Sequence, residues 1–157
     1  MEKLFEITEI MHNNYDHILT TTPREQLFRI PEGSNNNIFW NIGHLVATQQ
    51  LLVYKLSKLP TRLDWELVKR YSKGTFPEKE VTKEEVKRVS EALRATPGWT
   101  KEDYENGLFK EYTPYTTSAN VTLNSVEDAI AFNIFHLGLH TGTIQFLQRK
   151  MATPGGV

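Results

Sequence analysis

The sequence predicts an all-α protein: a four-helix bundle with short extra helices and a loop insert before the last helix. Three observations predict it. Apolar residues recur at helical spacing over four long stretches, capping signals precede the third and fourth, and Pro and Gly fall mostly between the stretches. The length of 157 residues suits one domain over 1–157, with a flexible tail from about 152 to 157.

The first helix is expected over Lys3–Leu19. Leu4, Ile7, Met11 and Ile18 set its period, Phe5, Tyr15 and Leu19 lie beside them, and Asn14 is the inward polar residue. Asp16 lies one turn from His12, within reach of a pairing, but the two read first as a solvated flank of this helix. Pro23 starts a short turn through Leu27, and Pro31 to Asn37 is a loop. A second long helix runs from about Asn37 to Ser57, closed by Leu59-Pro60, and a short one covers Asp64 to Tyr71. Thr82 and Glu85, with Val81 and Val86 at staple positions, open the third helix. Pro97-Gly98 is expected to interrupt it, with further helical turns from Thr100 to Asn106. Residues 107–123 read as a loop with a short β-ribbon, anchored by Tyr104, Phe109, Tyr112 and Tyr115. Asn124 or Ser125 caps the last helix, which runs to about Met151 with Arg149 and Lys150 at its C-terminal end.

Composition narrows the function. With no cysteine, disulfides, thiolate metal sites and cysteine nucleophiles are excluded. The net charge is −1 and the basic residues are dispersed, so no nucleic-acid partner is expected. Lys69, Arg70 and Lys73 read as a solvated helix end. No run of apolar residues suits a membrane span, the N-terminus has no signal-peptide pattern, and a cytoplasmic protein is expected.

The chemistry-bearing residues lie on two helices. The inward stripe of the last helix reads Val126, Ala129, Asn133, His136, Leu137, His140, Ile144 and Leu147, so polar residues stand where Leu or Ile would be expected. His136 and His140, four apart, stack on one face. On the second helix Asn37, Asn41, His44 and Thr48 form a polar strip, with Trp40 beside it. Buried polar groups need partners. A divalent metal ion with its waters would satisfy His44, His136 and His140 together, and core histidines bonded to carbonyls or water fit the spacing equally. The pair is not that of a zinc protease, because Leu137-Gly138-Leu139 supplies no glutamate base. Gly43, Gly138 and Gly142 read as sites of close helix approach or as plain packing glycines.

Trp40, Gly43 and His44 in one helix, followed by His136, His140, Gly142 and Ile144 in the last, resemble the signature of the DinB-like, or YfiT-like, metalloenzyme family of bacterial four-helix bundles. The Ser-Val-Glu-Asp-Ala start of the last helix is also similar. The resemblance implies a divalent ion, nickel or zinc, held by His44, His136 and His140. It implies a homodimer, a small-molecule substrate and, by likeness to characterised relatives, thiol S-transfer with a low-molecular-weight thiol such as bacillithiol or mycothiol. Trp40, Asn41, Thr48 and Asn133 are then the expected pocket residues or supports of the imidazoles; no residue is assigned a catalytic role. The alternatives are a metal-dependent hydrolase and a non-enzymatic bundle with a structural metal or a ligand pocket.

Overall fold

The computed structural model describes residues 1–77 and 80–152. The elements run α1 (Glu2–Thr21), α2 (Arg24–Phe28), α3 (Ile38–Gln49) continuing into a π-helical turn (Gln50–Lys55), α4 (Trp65–Arg70), α5 (Lys83–Glu105), β1 (Tyr115–Thr116), β2 (Thr122–Leu123) and α6 (Val126–Ala152). The fold is an all-α helical bundle, as the periodicity predicted. Among the described residues, α1 packs on α5 and α3 on α6, and contacts of α1 with α6 and of α3 with α5 close the bundle. The tail expected from about 152 lies, beyond Ala152, outside the described residues.

The expected caps form at Thr82 and Ser125, and Asn37 caps α3 as well. Asn37 Oδ1 accepts from Trp40 N at 2.7 Å, and Thr82 Oγ1 from Glu85 N at 3.1 Å. Ser125 Oγ accepts from Asp128 N at 3.2 Å while an Asp128 carboxylate oxygen accepts from Asn124 N at 2.8 Å. The ribbon is a two-residue antiparallel pair, Tyr115 opposite Leu123 and Thr116 opposite Thr122. It packs on α6.

Three expectations are corrected. The α1 face is turned from the expected one: Phe5, His12, Tyr15 and Leu19 are buried, Asn14 is exposed, and the inward polar residue is His12. Asp16 does not pair with it but takes Ser90 Oγ at 2.5 Å and Arg94 at 3.0 Å. Helix α5 runs unbroken through Pro97. Proline has no N–H for the carbonyl four residues back; that carbonyl is Leu93 O, and His12 Nδ1 donates to it at 2.9 Å. The misplaced histidine and the uninterrupted helix are thus one feature. Finally, Arg70 is no solvated helix end, because its Nε lies 2.8 Å from the buried Glu85 carboxylate.

The π turn was not legible in the sequence. Leu56 N donates to Leu51 O and Leu59 N to Tyr54 O, each five residues back. Gln49 and Gln50 are buried here. Gln50 Nε2 donates to Gln49 Oε1 at 2.5 Å, and Gln50 Oε1 accepts from Arg62 N at 2.7 Å and Leu63 N at 3.3 Å. Gln49 in turn donates to Thr100 on α5. This satisfied network fixes the turn that shapes one wall of the site.

Candidate metal centre

His44 projects from the middle of α3, and His136 and His140 from successive turns of the facing α6. One ligand nitrogen from each lies within 4.8 Å of the other two. His136 Nε2 and His140 Nε2 are 3.2 Å apart. Two nitrogens bound tetrahedrally at 2.0–2.1 Å to one ion stand about 3.3 Å apart, so the pair matches a shared ion.

The outer nitrogens fix which atoms face inward. Asn41 Nδ2 donates to Asn37 O at 2.7 Å, which turns Asn41 Oδ1 toward His140. His140 Nδ1 therefore donates to Asn41 Oδ1, at 2.8 Å, and its Nε2 keeps a lone pair. His44 Nδ1 donates to the Tyr71 carbonyl at 2.7 Å, leaving the His44 Nε2 lone pair toward the cluster. Outer nitrogens held by carbonyl or amide oxygens are the usual support of ligating histidines. Burial lowers the pKa of all three. His136 falls to about 4, with the His44 charge adding to burial, and His140 to about 3, with the charges of His136 and His44 adding. All three are neutral at pH 7, the form that binds a metal. The donor set therefore fits a divalent ion.

Two neighbours hold His44 from behind. The Trp40 ring stacks on it, centroids 4.9 Å apart and planes 9° from parallel, while Trp40 Nε1 donates to Thr75 Oγ1 at 3.1 Å. Tyr71, whose carbonyl receives Nδ1, lays its ring against Gly43; a Cβ on residue 43 would stand 2.6 Å from Tyr71 Cδ1. The Tyr71 hydroxyl donates to Glu85. Gly43 thus permits the close approach expected of it. Gly138 and Gly142 do not serve that purpose within this chain, since a Cβ on either would meet nothing within 4 Å.

A cavity of about 260 Å³ opens beside the cluster. His44, Thr48 and His136 line it, with Leu51, Leu52 and Leu56 from the π turn and its end, and Phe132 and Leu139 from α6. Thr48 Oγ1 is 3.3 Å from His44 Nε2. Of the other expected pocket residues, Asn41 stands behind His140 and Trp40 behind His44. Asn133 is buried one turn before His136, and none of these three lines the cavity. Sequence reasoning missed Tyr71, which acts through its main chain and so leaves no side-chain signal, and it missed Lys55 and Lys73 at the cavity.

A helical bundle with three clustered histidines, one buried and two partly buried, beside a small cavity defines the class: a bundle protein with a site suited to one metal ion. The chain matches the DinB superfamily family model over residues 7–144 and belongs to that family. No curated protein matches it.

Proposed function

We propose that the protein holds one divalent ion, nickel or zinc, through His44, His136 and His140, and transfers a small thiol onto small electrophiles. The observation that carries this reading is the convergence of three neutral imidazoles, two of them with the outer nitrogen already bonded, beside a small cavity that His44 and His136 line. Three neutral ligands leave coordination positions and charge for a further group. A bound divalent ion would lower the pKa of a thiol there, and a thiolate is the stronger nucleophile. The chain's own part is positional. Asn41 and Tyr71 aim the imidazoles, Thr48 orients the thiol from the cavity wall, and the leucines and Phe132 exclude water from the sulfur. The new S–C bond forms as the leaving group departs with its electron pair, and the thiol proton passes to solvent.

Hydrolysis is the weaker reading, because no Asp or Glu lines the cavity among the described residues. Glu127 and Asp128 are engaged at the start of α6, with Tyr104 and Asn124. A homodimer formed through α6 belongs to the proposal. Phe135, Leu139 and Phe146 are about half exposed, and with Gly142 they share one face of that helix. No described helix is long and apolar enough to cross a membrane, and a cytoplasmic site of action completes the reading.

The test is metal content by elemental mass spectrometry on untagged protein, beside His140→Ala. Near-stoichiometric metal, lost in the variant, is expected. The loaded protein is then assayed with small thiols and a panel of alkyl and aryl halides. Absence of metal after reloading sinks the site, and absence of turnover with every pair sinks the transferase.

A further inference from the structure

The cavity beside the histidines is apolar along its walls and cationic at its edge. Lys55, at the end of the π turn, and Lys73, just after α4, both line it. They reach it from separate segments, and among the described residues no carboxylate lines it to offset them. In a chain of net charge −1 this is a local excess of positive charge, not the average surface. The Lys55 ammonium stands 4.5 Å from the centroid of the Trp65 ring, which holds it beside the opening without neutralising it. An ion held by three neutral imidazoles adds two further uncompensated charges on the floor. A cation would be repelled from such a space. A neutral occupant would leave the field unused.

We infer that the cavity takes a small organic anion: an apolar body carrying a carboxylate or similar acid group. Lys55 and Lys73 receive the acid group, the body lies against Leu51, Leu52 and Phe132, and the far end reaches His44 and His136. A cavity of about 150 Å³ holds a benzene ring, so the 260 Å³ here suits a body of about ten non-hydrogen atoms. As a statement about substrate the inference rests on the proposed thiol transfer. As a statement about what binds, it depends on the cavity alone.

The probes are heptanoate, heptan-1-ol and heptylamine, which share one alkyl chain and differ in charge. Each is titrated by calorimetry into zinc-loaded and metal-free protein, for the wild type, for Lys55→Gln/Lys73→Gln and for Lys55→Arg/Lys73→Arg. The wild type is expected to bind heptanoate at least fivefold more tightly than heptan-1-ol, with heptylamine weaker still. The glutamine pair should erase that preference in the metal-free protein, and the arginine pair should keep it. Rising salt should weaken heptanoate selectively. Equal binding of heptanoate and heptan-1-ol overturns the inference, as does failure of heptanoate to bind at all. A preference seen only with zinc and indifferent to the lysines also overturns it, by assigning the anion to the ion. Loss of zinc binding by itself would defeat the proposed function while leaving the metal-free comparison decisive for the lysines.

Discussion

Replacing Gly43 by alanine adds one carbon where the Tyr71 ring already stands. The new Cβ would lie 2.6 Å from Cδ1, 2.7 Å from Cγ and 2.9 Å from Cε1 of that ring. Three ring atoms at once leave no rotamer escape, so the ring must withdraw by about 1 Å to reach an ordinary carbon–carbon separation. It is poorly placed to do so. Tyr71 is buried, packs edge-on against Phe39 with centroids 5.8 Å apart, and is tied by its hydroxyl to Glu85. Overpacking of this kind costs about 3 kcal/mol at the upper end. Alanine's better helix propensity returns about 1 kcal/mol, for a net loss of about 2 kcal/mol. The Tyr71 carbonyl that receives His44 Nδ1 moves with the residue. Disturbing such a support lowers metal affinity by about 10- to 100-fold. The same substitution at Gly138 or Gly142 meets nothing within 4 Å and should stabilise the monomeric unit by about 1 kcal/mol. Urea denaturation of the metal-free proteins, with zinc titration by competition against a chromogenic chelator, reads both effects. A Gly43→Ala protein as stable as Gly138→Ala, with unchanged zinc affinity, would refute the reasoning.

The remaining predictions concern the histidine supports and the buried His12. Asn41→Leu removes the acceptor of His140 Nδ1 and should weaken zinc binding by about 10- to 100-fold with all three histidines in place; chelator competition measures it, and an unchanged affinity would show that the amide has no part in ligand support. His12→Ala leaves the Leu93 carbonyl without its donor, at about 1–3 kcal/mol for the unmet group plus the cavity left behind. With Pro97→Ala already in place, residue 97 can donate to Leu93 O, so a double-mutant cycle should return a coupling above about 0.5 kcal/mol; strict additivity would break the link between His12 and Pro97. Burial also holds the His12 pKa down, to about 4 against 6.5 unfolded. The unfolded chain therefore takes up this proton first as pH falls. The stability contribution is complete above pH 6.5 and declines toward pH 4, by about 3 kcal/mol in all. Urea midpoints of the metal-free His140→Ala protein across that range, compared with a version also carrying His12→Phe, should show a shallower pH slope in the latter.

Much of the site was legible because it is local. His136 and His140 share a face by spacing alone, and Asn37, Asn41, His44 and Thr48 follow one stripe of α3, so the convergence of two polar strips could be read before the helices were placed. The caps at Thr82 and Ser125 are also local, and both bonds are present. The failures came where a distant element supplied the missing partner. Pro97 reads as a break until His12 is known to occupy the carbonyl it frees, 81 residues away in the chain. Arg70 reads as solvated until Glu85 is folded against it.

The sequence by itself determined the helical class, the helix starts and the three histidines, because periodicity and capping act within a few residues. Tertiary structure alone decided the orientation of those histidines, the π turn and the cavity. Each depends on a group from another element: the Tyr71 carbonyl behind His44, the Gln50 side chain bonded to the chain at Arg62 and Leu63, and the lysines brought to one opening from separate segments. A main-chain carbonyl has the same chemistry at every residue, so only packing selects the one that aims a ligand.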